Sequence, residues 1–187
     1  ENVSSQYVGG TIFYDSASGL IKVYHQVSLG TDDTLRSKRQ FETEAAACGV
    51  KVSTYHCDNG IFTSKSWTGA LCDQSQCQSL SGVGAHHQNT HAERAIGTVT
   101  SSARVMLLHL QIHWPDEYDT KLWPFALSYA AWLYNHTPKL NGLAPIELFC
   151  GTRTSCDYLC RARVFGCPVY VLDPRLQDGQ KIPKWEP

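Results

Sequence analysis

The feature that most constrains the fold is an ordered run from Thr31 to Gly60. Thr31 to Cys48 carries Leu35, Phe41 and Ala45-Ala46-Ala47 at helical spacing, and Gly49 stops the pattern, as a glycine does where a helix ends in a left-handed residue. The apolar stretch Val50 to Tyr55 predicts a strand. A helix, a glycine and a strand in that order predict a crossover connection in an α/β sheet. The strand runs into Cys57-Asp58-Asn59-Gly60. Asn-Gly is a strong hairpin signal because both residues tolerate positive φ. An Asp at a strand end can also be a metal ligand beside a substrate crevice.

The flanking segments support the α/β reading. Thr11 to Tyr14 and Leu20 to Val27 predict two strands joined by a turn over Asp15 to Gly19, an antiparallel hairpin. Lys65 to Ser75 predicts a helix, so the Asn-Gly pair ends a strand rather than returning one. Cys77 to Leu80 suits a short edge strand, and Ser81 to Asn89 a loop rich in Gly and His. Thr90 opens a long helix to His113, and Pro115, at a favoured first position, opens another to His136. Val164 to Leu172 predicts the one strand of the C-terminal part, broken by Gly166 and Pro168. In a mixed sheet with helices on both faces, ligands bind beyond the carboxyl ends of the parallel strands, where Asp58 falls.

Composition narrows the function classes. A net charge of −1 over 187 residues excludes a module that holds nucleic acid by bulk charge alone. No apolar run approaches the roughly 20 residues needed to span a bilayer, so no membrane partner is expected. The eight Cys are scattered in a chain with 42% hydrophobic residues, which predicts mostly reduced, buried thiols in an intracellular protein.

A second carboxylate lies at the start of the long helix, in Thr90-His91-Ala92-Glu93-Arg94. The apolar stripe Ile96, Val99, Ala103, Met106, Leu107 and Leu110 follows, and Glu93, three residues before Ile96, is expected on its face, against the sheet. Thr90 and Glu93 have the spacing of a capping box, which is one reason for an acid there. The other is that Asp58 and Glu93 converge on a divalent metal. Mg²⁺ takes one or two carboxylates plus phosphate oxygens, and such ions stabilise in-line phosphoryl transfer. Both readings stand on the residues alone.

An ordered set of motifs resembles a known family. "HCDNGIFTS" (56–64) resembles the second acidic motif of retroviral and retrotransposon integrases, and "HHQNTHAERAI" (86–96) their loop and third acidic residue. "GTIFYDSASGLIKVY" (10–24) resembles their hairpin. "LWPFALSYAAWLYNHTP" (122–138), "GLAPIELFCG" (142–151) and "VFGCPVYV" (164–171) resemble copia-type retrotransposon integrases in particular. The resemblance implies an α/β, ribonuclease H-like fold with a mixed five-stranded sheet and helices on both faces. It implies a catalytic core over 1–150, truncated at its start with the first strand partly missing, and a C-terminal extension with a short β segment over 151–187.

The activity implied is metal-dependent phosphoryl transfer on Mg²⁺ or Mn²⁺, joining element DNA 3′ ends to target DNA, in a homo-oligomer working in the nucleus or a virus-like particle. Asp58 and Glu93 take the second and third acidic positions, as catalytic and metal-binding residues. Asn59, Gln88, Asn89 and Arg94 fall at positions expected near DNA. The family's first Asp has no counterpart in residues 1–7, Asp15 matches the hairpin acid, and Thr90 stands where the family's loop has glycine. The expectation is an inactive piece of an integrase, cut after its first acid or decayed. The alternative is a ribonuclease H-like domain that binds DNA or protein without chemistry.

The remaining features have simpler readings. Cys72, Cys77, His87 and His91 approach a zinc-finger spacing, with a central gap shorter than the usual ~12 residues. The Trp residues suit core packing. Arg153, Arg161 and Arg163 with Lys181 and Lys184 form a modestly basic face, the best candidate for phosphate contacts.

Overall fold

The computed structural model describes residues 7–82, 89–153 and 157–169. Strands β1 (Gly9–Tyr14) and β2 (Ile21–Gln26) pair antiparallel, with Ile12 opposite Val23 and Tyr14 opposite Ile21. Asp15 closes the turn between them. Its Oδ2 accepts hydrogen bonds from the Ser18 backbone N–H at 2.8 Å and the Ser18 hydroxyl at 2.6 Å, and Gly19 takes a φ of 76°. Helix α1 (Thr31–Ala47) follows and ends at Gly49, whose φ is 74°. β3 (Thr54–Cys57) pairs parallel with β4 (Cys77–Leu80), and α2 (Lys65–Asp73) makes the crossover. Then come α3 (Thr90–His113), α4 (Trp123–His136), α5 (Pro145–Cys150) and α6 (Asp157–Cys160).

The β-hairpin is buried on both faces. Phe13, Leu20 and Tyr24 join Leu35, Phe41, Tyr55, Trp67 and Phe149 in one core, beneath α1, α2 and α5. Ile12, Tyr14, Ile21 and Val23, alternating with them, pack on a second core built by α3 and α4. In that second core Ala95, Val99 and Ala103 of α3 meet Ala126, Ala130 and Ala131 of α4, small side chains that let the two helices approach closely. Asn135 of α4 fastens the layer to the sheet: its Oδ1 accepts from the Ile21 N–H at 2.9 Å and its Nδ2 donates to the Ile21 carbonyl at 2.6 Å. In the first core Lys38 is 2% exposed. Its ammonium meets Glu42 Oε1 at 2.8 Å, and the same oxygen accepts from the Tyr55 hydroxyl at 2.9 Å and from Gln76.

Several expectations are corrected. The described residues hold four strands in two separate pairs, not a continuous five-stranded sheet. The strand expected over 50–55 lies at 54–57, because its ladder partner begins only at Cys77, opposite Thr54; Val50 and Val52 pack on the first core without pairing. The helix expected from Pro115 starts at Trp123, after two 3₁₀ turns, and Pro124 takes the favoured early position. Residues 164–169 form no strand: Cys167 N–H bonds back to Val164 O at 3.1 Å, a turn that places Gly166 at φ 78°. The rest of that expected strand, 170–172, lies outside the described residues. Cys57 is buried, but Cys72, Cys77 and Cys160 are exposed, and all described cysteines are free thiols. No helix of the described residues is long and apolar enough to cross a membrane.

Candidate functional site

Asp58 directly follows β3, and its carboxylate is exposed at the strand's carboxyl end. Two local devices hold it there. Asn59 Nδ2 donates to Ser81 O at 3.1 Å, tying the end of β3 to the residue after β4. Gly60 then adopts φ 94° and ψ −126°, a conformation that side-chain-bearing residues rarely enter, and turns the chain into a 3₁₀ turn at Ile61–Thr63. Ser64 caps α2, its Oγ accepting from the Trp67 N–H at 3.3 Å. The Asn-Gly pair therefore ends a strand and feeds a helix.

The start of α3 meets this strand end. Asn89 is the N-cap of α3, and its Nδ2 lies 3.3 Å from Asp58 Oδ1. Glu93 is four residues further, one turn along the same side of the helix as Asn89. The structure thus brings the N-cap of α3 to the carboxyl end of β3, and Glu93 lies in the helix's first turn. Asp15 does not join them in a three-acid set; its carboxylate is engaged in the hairpin turn.

Glu93 departs from the expected orientation. It is exposed, and Ile96 is 44% exposed, while the buried stripe runs Ala95, Val99, Ala103 and Leu110. The small alanines, which carry little weight in a hydrophobic pattern, set the packed face. The capping box also fails: Asn89 rather than Thr90 is the N-cap, and it makes no side-chain cap hydrogen bond. A reciprocal capping bond forms at α5 instead, where Glu147 Oε2 accepts from the Ala144 N–H at 2.8 Å.

The donor set suits a hard, hydrated cation. Asp58 at a strand end and Glu93 in a helix's first turn, both exposed, are oxygen donors of the type that Mg²⁺ or Mn²⁺ takes, ions that keep waters and use one or two protein oxygens. The two carboxylates do not match a closed zinc site, and among the described residues no three His, Cys, Asp or Glu converge. Cys72 and Cys77 are exposed on α2 and β4, and the ring of His91 stacks on Tyr14 at 5.8 Å, at the end of β1. His87 lies outside the described residues, as do Gln88, Lys181 and Lys184. Arg94, Arg153, Arg161 and Arg163 are exposed. Asn59 and Asn89, expected near DNA, both hold the strand end in place here. That positioning role had no signal in the sequence, because their partners lie 22 and 31 residues away.

With this geometry, the fold can be placed. The chain has an α/β, ribonuclease H-like fold, the architecture of retroviral integrase catalytic cores. The HTLV-2 integrase catalytic core domain, solved with magnesium in a trimeric form, superposes with a TM-score of 0.55 at 16% identity, covering 75% of this chain and 83% of its own. The BIV integrase catalytic core superposes at 0.56 with 18% identity, covering 75% and 84%. A chain of the simian T-cell lymphotropic virus intasome, solved in complex with PP2A regulatory subunit B56 gamma, superposes at 0.58 with 17% identity, covering 87% of this chain and 51% of its own. The sequence matches no protein-family model and no curated protein.

Proposed function

We propose that the chain is the catalytic-core unit of a copia-type retrotransposon integrase, and that Asp58 and Glu93 hold Mg²⁺ or Mn²⁺ at the carboxyl end of β3. The observation that carries the reading is the approach of Asn89 to Asp58, which sets the N-cap of α3 against the end of β3. The motifs at 56–64, 122–138, 142–151 and 164–171 support the copia assignment. The metal, when bound, polarises a phosphodiester for in-line attack. The chain's own part is to present two carboxylates from a strand end held by Asn59 and a helix start held by Asn89. Arg94, one residue beyond Glu93, and the exposed Arg153, Arg161 and Arg163 are the groups offered to DNA phosphates.

A second reading has its own support. Among the described residues no third ligand converges, and the net charge is near zero. A ribonuclease H-like domain that binds DNA or protein without chemistry accounts for both.

Mn²⁺ titration followed by electron paramagnetic resonance separates the two. The integrase reading expects Asp58→Asn and Glu93→Gln each to weaken Mn²⁺ binding at least about tenfold, roughly 1.4 kcal/mol. Binding unaffected by either change defeats the metal site and leaves the non-catalytic reading.

A further inference from the structure

Two helices end at a cysteine followed by a left-handed glycine, and the two ends meet. Cys48 is the C-cap of α1, its N–H bonded to Ala45 O at 3.0 Å, and Gly49 follows at φ 74°. Cys150 is the last residue of α5, and Gly151 follows at φ 65°. A glycine in that conformation ends a helix. Packing then brings the two ends together. Phe41 of α1 and Phe149 of α5 share the first core with ring centroids 6.4 Å apart, and both cysteines pack against that core. Cys150 Sγ lies 2.9 Å from Cys48 Sγ, across 102 residues of sequence.

An S–H is a weak donor and sulfur a weak acceptor, so a hydrogen bond accounts poorly for so close an approach. The 2.9 Å separation has only about 0.9 Å to lose before it reaches the ~2.05 Å of an S–S bond. Among the described residues no other two cysteine sulfurs are in contact. Cys57 Sγ accepts from Gln78 Nε2 at 3.3 Å, and Cys72, Cys77 and Cys160 are exposed. Cys48 and Cys150 are half-buried, open to a small reagent but less open to another chain than those three. Burial first, and then the hydrogen bond to Cys48, push the Cys150 thiol up to about 11, so it rests protonated at neutral pH.

We propose that Cys48 and Cys150 are a redox-sensitive pair whose disulfide fastens α5 to α1. The oxidant is a small-molecule disulfide. One protein thiolate attacks it, its S–S bond breaks, and one half leaves as a thiol carrying the proton that the cysteine lost. The second protein thiolate then attacks the first protein sulfur. The Cys48–Cys150 bond forms, and the other half leaves as a thiol with the second proton. The two protein sulfurs lose two electrons and the reagent gains them. The bond closes a loop across 102 residues, which restricts the unfolded chain and so stabilises the fold. Because α5 carries Phe149 into the first core and also packs on α4, the bond tethers both layers. With the thiols reduced, packing alone holds α5. The pair is independent of the metal reading, since two helix ends, not Asp58 or Glu93, build it.

The test oxidises the 187-residue chain with glutathione disulfide, quenches it with N-ethylmaleimide and maps tryptic peptides by mass spectrometry. Trypsin leaves Cys48 in peptide 40–51 and Cys150 in peptide 140–153, each with one cysteine. These two peptides should emerge as the main linked product and separate with dithiothreitol. Oxidation should raise the Tm of the unaltered chain by at least about 5 °C and should not raise that of Cys48→Ser or Cys150→Ser. A triple variant, Cys72→Ser with Cys77→Ser and Cys160→Ser, should keep both the link and the rise, and it decides the matter if the single variants do not fold. Three results overturn the proposal: both peptides carrying glutathione or N-ethylmaleimide instead of each other, links formed chiefly with other cysteines, or the expected link without a rise in Tm. The last would show a bond that strains the fold rather than fastening it.

Discussion

Replacing Asn135 by alanine isolates the clasp that joins α4 to β2. The wild-type amide makes two hydrogen bonds to Ile21, at 2.9 and 2.6 Å, and Ile21 is 1% exposed while Asn135 is 6% exposed. Removing the amide leaves one N–H and one C=O buried without a partner, each costing roughly 1–3 kcal/mol. Some water entering the vacated space recovers part of this, so the expected loss is about 2–4 kcal/mol. That is a large share of the ~5–15 kcal/mol that holds a typical domain together. Urea unfolding followed by far-ultraviolet circular dichroism should show a lower midpoint with an unchanged slope. Asn135→Asp refines the test. At neutral pH its carboxylate faces the Ile21 carbonyl and cannot donate, so the folded state favours the protonated acid and raises its pKa above the ordinary ~3.9. Stability of this variant then recovers as pH falls through the raised value, opposite to the usual acid trend. A loss below about 0.5 kcal/mol in Asn135→Ala, or no acid recovery in Asn135→Asp, would refute the clasp.

Three further outcomes follow from the same physics. Gly60→Ala should cost about 1–3 kcal/mol through backbone strain alone, because φ is 94° and nothing lies within 4 Å of a built Cβ. The same change should weaken Mn²⁺ binding by shifting Asp58, and thermal unfolding with metal titration checks both effects. Burial raises the Glu42 carboxyl, but hydrogen bonds from Lys38, Gln76 and Tyr55 outweigh it and hold the group below its ordinary 4.5. Its contribution is therefore present above about 4.5 and lost as pH falls through the lower folded value; Glu42→Gln should flatten that acid limb in unfolding curves. Burial lowers His25 below 6.5, against an opposing backbone contact at Pro124, and its ring nitrogen Nε2 sits 2.8 Å from Ser128 Oγ. Stability should fall as pH drops below 6.5, where the unfolded chain takes up a proton first, and His25→Gln should remove that slope.

The elements with strong local signals were legible in the residues. The β-hairpin, α1 with its Gly49 stop, β4 and both ends of α3 lie where periodicity and breakers put them. The misses have a common origin in partners distant along the chain. Val50 and Val52 have strand character, but no neighbour to pair with until Thr54 meets Cys77. Gly166 sits in a turn where a Cβ would collide with Leu110, a contact invisible from the local pattern. At the site, Asp58 was legible because a strand end, an Asn-Gly turn and a helix signal agree locally. The outward aim of Glu93 was not, because the packed face of α3 is chosen by alanines that fit against alanines of α4. α5 was missed although Ala144-Pro145 with Glu147 carries a readable start signal.

The two-sided burial of the β-hairpin bears on how the chain folds. Neither core can close before β1 and β2 are paired, since Phe13, Leu20 and Tyr24 complete one and Ile12, Ile21 and Val23 complete the other. Pairing this hairpin needs only short-range contacts, which form early and at low loop-closure cost, whereas β3 and β4 must wait for a crossover. The β-hairpin is thus the natural nucleus, and truncations within it, such as Phe13→Leu or Ile21→Val, should slow refolding more than they speed unfolding. Truncations in β3 should show the reverse. A single nucleus shared by two cores also makes their opening cooperative, so native-state amide exchange should report them as one unit.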